Sequence, residues 1–132
     1  MHKILVVDDD RPLLGLLRHC METEGYSTIT AENGATALNW VKETRFDLAI
    51  LDLCLPDSSG LQICEAIKKD PKTRATKVII LTGNTSNDNR IKSNLHSGAD
   101  LFLTKPIEPN DLRQAARKML EDARQNKLLL PR

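Results

Sequence analysis

The sequence predicts an α/β fold, a single three-layer (βα)5 doubly wound domain built on a five-stranded parallel sheet. Two observations predict it. Short apolar runs alternate with amphipathic helical patterns five times along the 132 residues, and right-handed βαβ crossovers then put helices on both faces of the sheet. The runs Leu48 to Leu51 and Val78 to Leu81 are also continuously apolar, without the alternation of a half-exposed strand, which marks strands covered on both sides. A chain of this length holds one core and leaves no room for a second.

Lys3-Ile4-Leu5-Val6-Val7 reads as the first strand, closed by Asp8-Asp9-Asp10. Asp10 caps a helix with Pro12 in its first turn, and Leu13, Leu16, Leu17, Cys20 and Glu24 keep the helical period until Gly25 stops it. Tyr26 to Thr30 is β-prone but half polar, which fits a strand at or near an edge. Asn33 and Gly34 open a second helix carrying Ala37, Leu38, Trp40 and Val41. The third strand stops at Asp52, and Pro56 and Gly60 turn the chain toward a third helix, which Asp57 or Ser58 is placed to cap. That helix buries Leu61, Cys64 and Ile67 and ends before Pro71. The strand Val78 to Leu81 ends at Thr82-Gly83-Asn84. A fourth helix, from about Ser86 to Ser97, has Ile91 and Leu95 as its large apolar residues, a narrow stripe that predicts weak anchoring and the greatest mobility. Leu101 to Thr104 is the last strand, followed by Lys105-Pro106 and by an amphipathic helix from Pro109 to about Gln125 through Leu112, Ala115, Ala116, Met119, Leu120 and Ala123.

Composition narrows the function. Nineteen Lys and Arg against 18 Asp and Glu leave a net charge of +1, too weak a field to attract nucleic acid or a membrane. Cys20, Cys54 and Cys64 are odd in number and lack zinc-ligand or CxxC spacing, so reduced thiols in a cytoplasmic protein are expected. No leader pattern opens the chain, and no apolar stretch approaches the ~20 residues that span a bilayer. His2, His19 and His96 are scattered, and Arg113, Arg117, Lys118 and Arg124 read as the wet face of the last helix.

The chemistry lies where strands end. Ligands of open α/β sheets bind beyond the carboxyl ends of the strands, and there the pattern delivers Asp8, Asp9, Asp52, Thr82 and Lys105. Clustered carboxylates repel one another unless a cation sits among them. Oxygen-only ligands favour a hard ion, and a few carboxylates plus water suit Mg2+, with Mn2+ as its substitute. Lys105 adds a charge of the kind that holds phosphoryl oxygens, and Thr82 adds a hydroxyl. A metal, an ammonium and a hydroxyl around Asp52 would neutralise a transferring phosphoryl group while that carboxylate acts as nucleophile.

Five motifs, in order, then resemble the receiver domain of response regulators in two-component phosphorelay systems, over roughly residues 3 to 124. They are Ile4-Leu5-Val6-Val7-Asp8-Asp9-Asp10; Asp47 through Pro56 with Gly60; Val78-Ile79-Ile80-Leu81-Thr82-Gly83; Ser97-Gly98-Ala99-Asp100; and Lys105-Pro106. The resemblance implies a receiver domain over residues 1–124, with 125–132 as a C-terminal tail or the start of a linker. It implies the flavodoxin-like strand order 2-1-3-4-5. It makes Asp52 the phosphoacceptor, Asp9 a direct metal ligand, Asp8 a ligand through water, and the backbone carbonyl of Cys54 a third protein ligand. Thr82 becomes the switch hydroxyl and Lys105 the phosphate contact, with a cis bond between Lys105 and Pro106. Phe102 stands where the family keeps a switch aromatic, and Cys54 and Asn84 occupy positions that tune the lifetime of the acyl phosphate.

The resulting expectation is a phosphorylatable signalling switch and not a conventional enzyme. It would take a phosphoryl group from a phosphohistidine of a sensor kinase or phosphotransfer protein. The face of the fourth helix, last strand and last helix would then control an output domain or protein, or a homodimer linked to phosphorylation. The alternatives are a phosphate-independent pseudo-receiver, which would not need the complete acid, threonine and lysine set, and a flavin carrier. Aromatics at 3% and three acids after the first strand disfavour the flavin.

Overall fold

The computed structural model describes residues 1–83 and 98–129, with 126–129 in backbone only. The expected fourth helix, Asn84 and His96 lie outside the described residues. Five parallel strands, β1 (Lys3–Val7), β2 (Ser27–Ala31), β3 (Leu48–Asp52), β4 (Lys77–Thr82) and β5 (Leu101–Thr104), form one sheet in the order β2-β1-β3-β4-β5. The described helices are α1 (Arg11–Thr23), α2 (Gly34–Glu43), α3 (Gly60–Lys69) and the C-terminal helix α4 (Pro109–Leu129).

The absence of alternation in the central runs has the expected cause. Every residue of β3 is buried, because successive side chains feed two cores. Ile4, Val6, Leu48, Ile50, Ile79 and Leu81 face α1 and α4, while Leu5, Val7, Ala49, Leu51, Val78 and Ile80 face α2 and α3. β2, half polar in sequence, lies at one edge with intermediate burial over Ser27 to Thr30.

Local chemistry sets the helix starts. Asp10 caps α1 through the Leu13 N–H at 3.2 Å, and Asn33 caps α2 through the Thr36 N–H at 2.8 Å. Gly25, at φ +87°, takes the left-handed conformation after α1 that glycine adopts without strain. Three details depart from the sequence reading. Leu14 and Met21 join Leu17 and Cys20 in the core, whereas Leu16 is 44% exposed. Leucines at 13, 14, 16 and 17 leave the phase of the helix open, and packing on the sheet selects it. Ser59, rather than Asp57 or Ser58, caps α3: its Oγ accepts from the Leu61 N–H at 3.0 Å, while Gln62 Oε1 accepts from the Ser59 N–H at 3.1 Å. The C-terminal helix continues to Leu129, past the expected end near Gln125.

Candidate functional site

β1, β3 and β4 end together at the carboxyl edge of the sheet, and their last or following residues form an acidic rim. Asp8 follows β1 and is fully buried; its N–H donates to the Ala31 carbonyl at 3.1 Å, and its Oδ1 accepts from the Asp10 N–H at 3.0 Å. Asp9 is exposed, and Asp52, the last residue of β3, is 7% exposed. One carboxylate oxygen from each of Asp8, Asp9 and Asp52 lies within 4.8 Å of the others. An all-oxygen set of this size could hold a hard cation.

Lys105, just after β5, reaches into this rim. Its Nζ donates to Asp8 Oδ2 at 2.9 Å and lies 3.3 Å from Asp52 Oδ1. Burial, and then the Asp8 charge, push the Asp52 carboxyl above its ordinary pKa, although Lys105 and the Cys54 N–H oppose the rise. Burial pulls the Lys105 ammonium down, but the bond to Asp8 and the charges of Asp52 and Asp8 outweigh it and raise its pKa. The two directions are consistent: the ion pair is attractive, yet one ammonium does not offset both the loss of water around Asp52 and a second carboxylate.

The other sequence-selected residues fall around this cluster. Thr82 ends β4, fully buried, opposite Thr104 of β5, and its carbonyl accepts from the Lys105 N–H at 2.7 Å. The Lys105–Pro106 bond is cis. Phe102 is half-buried on edge strand β5, paired in register with Ile80 and packed on the α2/α3 side of the sheet. Cys54 is exposed, and its N–H points to Asp52 Oδ1 at 3.5 Å.

The turn after Asp52 is close-packed. The Leu53 N–H donates to the Leu81 carbonyl at 2.8 Å, and the Gly60 N–H returns to the Leu53 carbonyl at 3.0 Å. A Cβ on Gly60 would collide with the Asp52 carbonyl oxygen and lie 3.0 Å from the carbonyl carbon, so glycine is required by contact with the acid's own backbone. Sequence reasoning gave Gly60 as a turn residue and a motif position, without this contact. It also gave Asp100 no role, whereas its Oδ2 accepts from the Val78 N–H at 2.8 Å and Lys68 Nζ at 3.0 Å, fixing the start of β5 to β4 and α3. Neither long-range partner has a local signal.

The strand order, the two helical layers and a rim at the carboxyl edge define a CheY-like, flavodoxin-type fold. The sequence matches the response regulator receiver domain family over residues 4–117. It is 36% identical over 110 residues to the phosphate regulon transcriptional regulatory protein PhoB of Klebsiella pneumoniae, covering 83% of this chain and 48% of that protein. It is 35% identical over 123 residues to the transcriptional regulatory protein ResD of Bacillus subtilis (strain 168), covering 93% of this chain and 50% of that one. The chain thus spans about half the length of these curated relatives. The crystal structure of a CheY-like response regulator receiver domain protein from Methanospirillum hungatei JF-1 superposes with a TM-score of 0.87 at 32% identity, covering 96% of this chain and 98% of that one. The chain belongs to the response regulator receiver domain family, the regulatory signalling domain of two-component systems. No helix among its described residues is long and apolar enough to cross a membrane.

Proposed function

We propose that this domain is a phosphorylatable switch in the cytoplasm, in which Asp52 accepts a phosphoryl group with Mg2+ at the acidic rim. The observation that carries the reading is the convergence of Asp8, Asp9 and Asp52 with the Lys105 ammonium, 2.9 Å from Asp8 and 3.3 Å from Asp52. Asp9 and Asp52 would hold the ion directly, with the Cys54 carbonyl, and Asp8 would hold it through water. When bound, Mg2+ supplies positive charge to the oxygens of the transferring phosphoryl group.

The chain's own groups do the rest. An Asp52 oxygen attacks phosphorus as the P–N bond of a donor phosphohistidine breaks, and the leaving imidazole nitrogen keeps the bonding pair and takes a proton from solvent. Lys105 favours the ionised form of Asp52, which is the nucleophile. Lys105 then contacts the phosphoryl oxygens as they take up charge, and Thr82 donates its hydroxyl to them. Movement of Thr82 frees the space into which the Phe102 ring turns, so the two residues bias one two-state element. Cys54, two residues after the acceptor, and Asn84, two after Thr82, occupy the sequence positions that set how long the acyl phosphate lasts.

The donor is a sensor histidine kinase or a histidine phosphotransfer protein. The relatives, matched across about half of their length, are transcriptional regulatory proteins, which favours an output domain or protein controlled through β5, the C-terminal helix and the segment before them. Phosphorylation-linked pairing of two copies is a further route of control. The experiment is treatment with acetyl phosphate and Mg2+ followed by intact mass measurement. Wild type should gain one phosphoryl group and Asp52→Asn none; a wild type that stays unlabelled would leave a phosphate-independent interaction module.

A further inference from the structure

The Leu53–Gly60 loop carries the residue two after Asp52, and it is tied to a second element at its tip. Inside the loop, the Leu55 N–H donates to the Ser58 carbonyl at 3.1 Å, and Cys54 and Ser59 form an antiparallel bridge. At the tip, Asp57 Oδ1 accepts from the Gly34 N–H at 2.8 Å and Asp57 Oδ2 from the Ala35 N–H at 3.0 Å. These are the first two amides of α2, and Asn33 accepts the third, from Thr36. All three would otherwise lack partners in the helix, and the carboxylate also meets the positive end of the helix dipole. The approach is close: a Cβ on Gly34 would collide with Ser58 Oγ and lie 3.2 Å from Asp57 Oδ1. The same two amides hold the Asp57 carboxyl below its ordinary pKa.

We propose that Asp57 is a positioning residue for the carboxylate site: by fastening the loop tip to the N-terminus of α2, it holds Asp52 and Cys54 in the arrangement that takes the divalent ion. The proposal rests on the reading of the rim given above. A closed loop has few independent ways to move, so a restraint at Asp57 is transmitted to Cys54 through the Leu55–Ser58 turn and the Cys54–Ser59 bridge. Coupling of this kind is reciprocal. If the tether favours ion binding, the ion must tighten the tether.

The test uses Mg2+ alone, titrated calorimetrically into the metal-free protein, together with amide exchange of Gly34 and Ala35 by NMR. Asp57→Ala should weaken Mg2+ binding by about fivefold, the lower end of typical coupling between sites, and Asp57→Asn, which keeps one acceptor oxygen, should fall between it and wild type. Asn33→Ala removes the helix's own cap without touching the loop and should leave Mg2+ affinity unchanged while loosening α2. In wild type, Mg2+ should slow exchange at Gly34 and Ala35, and in Asp57→Ala it should not. Equal Mg2+ affinities in wild type and Asp57→Ala, or equal losses in Asp57→Ala and Asn33→Ala, would overturn the proposal. A wild type that binds Mg2+ with the predicted coupling but takes no phosphoryl group on Asp52 would overturn the functional reading and support this one; a wild type that binds no Mg2+ would overturn both.

Discussion

Asp52 is pushed two ways by its neighbours, and stability should record it. Burial and the Asp8 carboxylate raise its pKa, so in the metal-free protein its ionisation costs stability as pH rises above the unfolded value of about 3.9. The sign follows from proton counting: between the unfolded and the raised folded pKa, the native state binds more protons than the unfolded one, and stability falls with increasing pH. Asp52→Asn removes that cost. Thermal melts without Mg2+ should therefore show Asp52→Asn more stable than wild type at neutral pH, with the gain shrinking as pH falls toward 4 or as Mg2+ is added. A variant less stable than wild type at neutral pH would show that the Lys105–Asp52 ion pair outweighs burial and the Asp8 repulsion.

Among the elements, the β3–α3 turn shows what a sequence discloses and what it withholds. The run Leu48 to Leu51, the acid after it and the glycine at 60 announce a strand, a site and a turn, because apolar burial and backbone conformation are local properties. The partner of Asp57 is not local. A carboxylate followed by two serines reads as the cap of the next helix, yet the capping box made by Ser59 and Gln62 serves α3 and leaves Asp57 to reach α2. The requirement at Gly60 is similarly tertiary in origin. Gly60→Ala, which presses a methyl group on the Asp52 carbonyl, should cost about 1–3 kcal/mol in chemical denaturation, as overpacking does, and should slow phosphoryl uptake by shifting Asp52. A stable variant with wild-type uptake would mean that the turn relaxes without moving the acid.

For the whole molecule, the sheet order and the two-faced core follow from patterns that survive tertiary folding. Uninterrupted apolar strands must be covered twice, and the half-polar strand must lie at an edge. The rim was legible for the same reason, since parallel strands that all end at one edge bring their terminal residues together; Asp8, Asp52, Thr82 and Lys105 are distant in the chain and adjacent there. The phase of α1, the length of the C-terminal helix and the Asp100 clamp were not, because each depends on a surface supplied by another element. The central claim is that this architecture exists to make one buried carboxylate a phosphoryl acceptor. Its most direct measurement is reduction of the acetyl phosphate-treated protein with borohydride, which converts an aspartyl phosphate to homoserine, followed by peptide sequencing by mass spectrometry. The account predicts conversion at position 52 that requires Mg2+; conversion at another aspartate, with position 52 untouched, would contradict it.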